Sequence, residues 1–436
     1  VTDPITTPPT DSAVEPRTWK RNVALFLSGQ TISLFGSMVV QYAVMWYVTL
    51  RTRSGLAVAL YAIAAFAPQG IVSLFGGVLA DRMNRKLLAI VADIAIAAAT
   101  LVLALLMISG IDDLWIILVA VGVRSVGAGV QTPTVQAMIP QIVPPDQLMR
   151  VNGIFQSIGS AMALIAPAVA AAVFATFGIV RVFFLDVITA IIGVGFLAIV
   201  AVPDIDRSGV EPTSYRQDLV EGMRYIATHR IVRWLLVVFA IIFLLTVAPS
   251  FVTPLLIVRD FGPEEWKLAA LEIAFSVGMV LGGIVVAGWL AKRSRMGLIM
   301  FSTYVFGALT VGMGLTGNLW VFYGLMFLLG LSVPLFSTPF MTLIQETVEP
   351  AKHGRVFSYV SIVMALATPV GMSVFGPLAD TVSVQSLLIV GGLATIGFMT
   401  VAVMMPSGRL AVATARETST GAPDPGDPLE ALEPSA

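Results

Sequence analysis

The chain has 436 residues, 57% hydrophobic and 12% charged, with a mean hydropathy of +0.91. A soluble domain carries about 25% charged residues, so this much apolar surface needs lipid to cover it. The formal net charge of −1 gives no electrostatic argument for nucleic acid, and the absence of cysteine excludes disulfides, thiol chemistry and zinc–thiolate sites.

Residues 1–19 open the chain. They are rich in Pro, Thr and Asp, lack the basic-then-apolar layout of a cleaved leader, and are expected to form a disordered cytoplasmic tail. Six apolar spans follow, near 23–49, 56–79, 87–109, 113–134, 148–176 and 179–202. Only Gly178 and Arg181 separate the fifth from the sixth. A polar stretch, 203–233, comes next. In it Leu219, Met223 and Ile226 recur at helical spacing, which predicts a cytoplasmic linker with an amphipathic helix on the cytoplasmic face. Six more spans lie near 234–258, 267–290, 296–316, 318–342, 354–378 and 383–406, and a second polar tail runs from 407 to 436. Spans of about 20 apolar residues have the length that crosses a bilayer as helix. The expected fold class is an all-α membrane protein with two six-helix bundles, 20–202 and 234–406.

Basic residues give the orientation. Short segments on one side hold Arg17, Lys20, Arg21, Arg82, Arg85, Lys86, Arg150, Lys292, Arg293, Arg295, Lys352 and Arg355, and the central stretch adds five arginines. The other side has Arg51, Arg53, Arg181, Arg259 and Lys267. The positive-inside bias predicts that both termini and the central loop are cytoplasmic.

Two anchors recur between the halves. Gly77-Val78-Leu79-Ala80-Asp81-Arg82 aligns with Gly288-Trp289-Leu290-Ala291-Lys292-Arg293. The stretch from Thr132-Pro133 through Pro144 to Arg150-Val151 aligns with Thr338-Pro339 through Pro350 to Arg355-Val356. Nearly equal offsets argue for a six-plus-six repeat, an arrangement that suits transport because two similar bundles can rock about a central site.

The loop cassette Gly77-x-Leu79-Ala80-Asp81-Arg82-x-x-Arg85-Lys86, with Asn84 at a position where glycine is usual, resembles the motif between helices two and three of the major facilitator superfamily. The likeness covers residues 20 to 406. A closer likeness is to its drug-efflux branch, including macrolide-efflux proteins and the enterobactin exporter. It rests on Leu118 with Arg124-Ser125-x-Gly127, Ala92-Asp93-Ile94, Asp186-Val187, Glu272-Ile273-x-Phe275-x-x-Gly278-Met279, Gly330-Leu331-Ser332-Val333-Pro334 and Gly354-Arg355-Val356-Phe357-Ser358. The resemblance implies that the cassette (Gly77, Asp81, Arg82, Arg85, Lys86) is a latch that holds the halves together when the carrier faces outward. By charge alone it is also a topology signal.

Arg124 falls in mid-span, where a guanidinium is costly unless it faces the protein interior and is paired. The resemblance matches it to a helix-four arginine linked to proton coupling, although the usual nearby glutamine is missing. Asp186 and Glu272 are intramembrane acids, and a carboxylate in a low-dielectric cavity can bind and release a proton as the cavity opens to each side. Glu272 can also pair with Lys267. Asp93 belongs either to the latch, given its closeness to Lys86, or to the proton site. Asp380, at a span end, reads as a loop residue. Around Pro167 the small residues resemble the antiporter motif of helix five only loosely.

The cavity candidates are Gln30, Gln41, Tyr42, Trp46, Gln69, Gln131, Gln136 and Gln156 in the first half, and Phe243, Phe251, Phe275, Met279, Phe336 and Phe340 in the second. Few charges among aromatics and methionines suit a bulky, partly apolar substrate. The expected protein is a secondary transporter that exports drug-like amphiphiles by proton antiport, or else a dedicated exporter of a siderophore or other natural product. A solute importer and a membrane-embedded enzyme or sensor are further alternatives. The expected partners are an amphiphilic small molecule, protons and membrane lipids, with no nucleic acid, cofactor or metal, and the protein is expected to act as a monomer. His229 and His353 form no metal pair, and the absence of a Gly-x-x-x-x-Gly-Lys-Ser/Thr loop argues against an ATP-driven pump.

Overall fold

A computed structural model describes residues 18–202, 215–290, 293–349, 352–410 and 412, with the backbone alone for 18, 74–82, 215–220, 248–250 and 354. The described residues are almost entirely helical. The helices are α1 (Thr18–Thr52), α2 (Gly55–Arg82), α3 (Arg85–Ile108), α4 (Leu114–Ile142), α5 (Leu148–Phe177), α6 (Ile179–Ile199), α7 (Tyr215–Thr228), α8 (Arg230–Leu256), α9 (Glu265–Val285), α10 (Arg295–Leu315), α11 (Leu319–Thr347), α12 (His353–Thr381) and α13 (Val384–Met404). Every one except α7 is long and apolar enough to cross a membrane, which makes twelve such spans among the described residues. In lipid a helix satisfies its backbone internally, so runs of this length and composition have little alternative.

Local chemistry sets the ends. Asn84 caps α3 by accepting the Leu87 N–H at 3.0 Å, and Asn318 and Ser383 do the same for α11 and α13. Gly178 has φ +78°. A β-carbon opposes that conformation, so this one residue breaks α5 from α6 where the hydropathy barely dips. Two π-helical turns, Ile257–Phe261 and Val286–Leu290, extend α8 and α9.

The chain divides into two compact units. The first contains residues up to 48 and 61–210. Its core joins Val23 and Phe26 of α1, Ala89 of α3, Met138, Ile139 and Ile142 of α4 and Leu197 of α6. The second unit contains residues from 211 onward and also 49–60, which form the end of α1 and the start of α2. Its core gathers Leu235 and Phe239 of α8, Met296 and Ile299 of α10, Phe340 and Ile344 of α11, Val356 and Val360 of α12 and Met399 of α13.

The amphipathic helix α7 packs against α8 and α12. Tyr225 and Ile226 meet the core of the second unit, and Glu221 pairs with Arg355 at 2.7 Å. Met223, expected on the apolar stripe, is 60% exposed. The seated stripe runs through Gly222 and Tyr225 instead, because Gly222 allows the close approach of Tyr359 and Arg355.

Candidate functional site

Within the first unit, four helices converge on a buried polar network. Asp186 of α6 is fully buried. Its Oδ1 accepts a hydrogen bond from Ser37 of α1 at 3.1 Å. Its Oδ2 accepts one from Thr100 of α3 at 2.9 Å and forms an ion pair with Arg124 of α4. Arg124 also donates to the Thr100 hydroxyl. The close pairing of α1 with α6 that this requires is made by small residues, with Gly36 opposite Asp186 and Thr189. Charge neutralisation and four hydrogen bonds answer the cost of placing an ion pair away from water.

Two turns from Thr100 on α3, Asp93 is 2% exposed. Its Oδ1 accepts from Ser33 at 3.3 Å and from Gln131 at 2.5 Å, while its Oδ2 has no partner among the described residues. Lys86 donates instead to the Ala198 and Val200 carbonyls at the end of α6, at 2.7 and 2.9 Å, where a cation also meets the negative end of that helix. Arg85 donates to the Ala137 carbonyl at 2.9 Å. Asp93 therefore makes its hydrogen bonds at the polar interior and not with the basic cassette. Gly77, Asp81 and Arg82 fall at the end of α2 where the backbone alone is described, so the latch expectation for their side chains lies outside the described residues.

A cavity of about 270 Å³ opens beside this network, lined by Gln41, Tyr61, Gln69, Arg124, Ser125 and Gln131, among others. Ser125 shapes its wall. Pro68 lies inside α2, and one residue later the helical ladder is opened: the Ser125 hydroxyl donates to the Ala65 carbonyl at 2.7 Å and accepts the Gln69 N–H at 2.9 Å. A side chain inserted at a proline kink restores both backbone partners. Gln30 is fully buried, with neither amide atom partnered among the described residues. Trp46 is also fully buried, its ring 5.9 Å from that of Tyr42, and neither residue lines the cavity. Gln136 and Gln156 are exposed.

Within the second unit a separate cavity, also about 270 Å³, is lined by Phe239, Phe243, Phe251, Phe275, Phe306 and Phe336 together with serine, threonine and methionine side chains. Phe239 stacks on Phe243 at 5.5 Å and on Phe340 at 4.4 Å, which places Phe340 behind the wall and not in it. Met279 lies outside the lining and is 39% exposed. Glu272 has no hydrogen-bond or ion-pair partner among the described residues. Lys267 pairs with Glu264 at 2.5 Å and donates to the Phe261 carbonyl.

Asp380 sits in the last turn of α12, not in a loop. Its Oδ1 accepts the Gly55 N–H at 2.6 Å, and its Oδ2 accepts the Leu56 N–H at 2.9 Å and the Ser54 hydroxyl at 2.8 Å. It thus caps the open N-terminus of α2, the end of a helix that favours a carboxylate. Arg259 braces the cap, reaching Asp380 at 2.7 Å, the Ala379 carbonyl at 2.6 Å and the Arg53 carbonyl at 2.7 Å. One turn earlier Gly376 lies against α2 so closely that a β-carbon there would stand 2.2 Å from that of Ala59. The run Gly376-Pro377-Leu378-Ala379-Asp380 repeats Gly77-Val78-Leu79-Ala80-Asp81, a signal in the sequence that marks Asp380 as more than a loop residue.

Two helical units, each with its own cavity, and buried charge in mid-span define a multi-pass membrane transporter rather than an enzyme. The chain belongs to the Major Facilitator Superfamily, whose profile it matches over residues 23–372. It is similar to macrolide efflux protein A of Streptococcus pyogenes, with 29% identity over 377 residues, 86% of this chain and 93% of that protein. It is 30% identical over 313 residues to macrolide efflux protein A of Enterococcus faecalis, covering 71% of this chain and 97% of the relative. Among solved structures, a POT family transporter in complex with a thioalcohol-conjugated peptide superposes with a TM-score of 0.69 at 14% identity, over 88% of this chain and 95% of that one. At that identity the likeness concerns the fold.

Proposed function

We propose that this protein exports hydrophobic or amphiphilic drug-like compounds across the bacterial cytoplasmic membrane by alternating access, driven by proton antiport. The observation that carries the reading is the buried Arg124–Asp186 pair, held by Ser37 and Thr100 and set beside a cavity that Arg124 itself lines. A proton arriving on Asp186 cancels the charge that holds Arg124. The guanidinium is then free to turn toward the cavity, and the helices it ties together are free to shift. Asp93, with one carboxyl oxygen unpartnered among the described residues, is the second group able to take a proton, and Gln131 links it to the cavity wall. Glu272 is the candidate in the second unit. The relatives named as macrolide efflux proteins support export of bulky amphiphiles, and the phenylalanine-lined cavity offers them an apolar surface. The positive-inside bias supports a cytoplasmic location for both termini and the 203–233 stretch; in this reading the Asp81 cassette serves as the latch on that face, and the carrier works as a monomer.

The test is purified protein in liposomes with an imposed pH gradient. Substrate-driven proton release, and export abolished when the gradient is collapsed, are the expected results. Export that ignores the gradient rejects antiport. No change on Asp93→Asn, Asp186→Asn, Glu272→Gln or Arg124→Ala removes these residues from the coupling step.

A further inference from the structure

The cavity of the second unit selects for one polar chemistry. Most of its hydroxyl groups have spent their single proton on the carbonyl one turn back in their own helix. Ser302 and Thr303 donate to Ile299 at 3.0 and 2.7 Å, Ser332 to Leu329 at 2.7 Å, and Thr395 to Gly391 at 2.8 Å. Among the lining hydroxyls only those of Ser337 and Thr368 lack such a bond among the described residues. The donated bonds leave the oxygen lone pairs as what the wall can still offer, so the wall is rich in acceptors and poor in donors.

The rest of the lining points the same way. The rings of Phe239, Phe243 and Phe336 lie nearly parallel, and the face of an aromatic ring carries partial negative charge that attracts cations. No lining side chain is charged, so an anion finds no countercharge and few donors. The volume, about 270 Å³, equals about nine water-sized volumes at ~30 Å³ each, enough for one end of a large amphiphile.

We infer that this cavity binds the donor-bearing end of an amphiphile, an organic ammonium in preference to a neutral alcohol, and excludes carboxylates. The inference rests on the export reading and adds to it the polarity of the ligand.

The probes are four naphthalenes of matched shape, 2-naphthylmethylammonium, 2-naphthalenemethanol, 2-methylnaphthalene and 2-naphthylacetate. Their binding is measured on the purified full chain in a neutral maltoside detergent by equilibrium dialysis, with protein-free micelles as the blank. The expected order is ammonium, then alcohol, with the carboxylate at least tenfold weaker than the ammonium. Thr303→Val combined with Ser332→Ala keeps the volume nearly constant and removes two acceptors. It should weaken the ammonium and the alcohol several-fold and leave 2-methylnaphthalene unchanged, with the melting temperature confirming a folded protein. Equal or tighter binding of the carboxylate overturns the inference. So does the absence of ammonium binding, or an equal loss for 2-methylnaphthalene in the double variant. Export from intact cells is read separately. Export without the binding preference rejects the inference and keeps the export reading, whereas the preference without export does the reverse.

Discussion

Asp186 and Arg124 are each tolerable because the other is present. Side-chain exposures of 1% and 12% leave little water to take over either charge. Removing one partner of a buried pair costs about 3 kcal/mol because the survivor is left uncompensated, whereas removing both costs less. Asp186→Asn and Arg124→Gln should therefore each lower the melting temperature, and the double variant should recover part of the loss in a thermal-shift measurement. Equal losses that simply add would remove the coupling between them. Ser125 offers a second check. Ser125→Ala leaves the Ala65 carbonyl and the Gln69 N–H without their bridge, a loss of about 1–3 kcal/mol for buried polar groups. Ser125→Thr should keep the bridge and most of the stability. A Ser125→Ala protein as stable as the parent would show that the kinked helix closes its own ladder.

At the scale of helices, the junction of α12 with the start of α2 depends on two residues four apart. Asp380 caps the α2 amides, and Gly376 lets the two backbones approach. Gly376→Leu should force the helices apart and lower both stability and transport. Asp380→Asn keeps the shape but loses the charge that answers the helix terminus and Arg259, a change of about 1 kcal/mol by the measure of ordinary caps. Gly376→Ala is the milder check: its single β-carbon, 2.2 Å from that of Ala59, should already lower the melting temperature, and a Gly376→Ala protein as stable as the parent would place these helices further apart than their backbones stand here.

For the whole molecule, the expected topology is testable in living cells. Single cysteines at Ser12, Ser214 and Ser419 should resist impermeant thiol reagents applied from outside, because the basic residues that set orientation cluster on the same face as these segments. Labelling of Ser214→Cys in intact cells would break the arrangement of six spans on each side of a cytoplasmic loop. These three positions lie outside the described residues, so the experiment tests the charge argument by itself.

Membrane folding makes much of this protein legible from its residue order. Twelve spans follow from hydropathy, because a chain in hydrocarbon must satisfy its backbone within each segment. The break at Gly178 and the helix at 215–228 were readable for similarly local reasons, a residue type that accepts positive φ and a stripe at helical spacing. Partnership was not readable. That Arg124 would meet Asp186 rather than another acid, that Lys86 would turn from Asp93 to the end of α6, and that Ser125 would enter the ladder of α2 all depend on which helix faces confront one another. Helix rotation is set by side-chain packing between segments far apart in the chain. The same holds for the two cavities: sequence supplied glutamines to one half and phenylalanines to the other, but only the packed bundles separated Gln41, Gln69 and Phe336, which line space, from Trp46 and Phe340, which fill it.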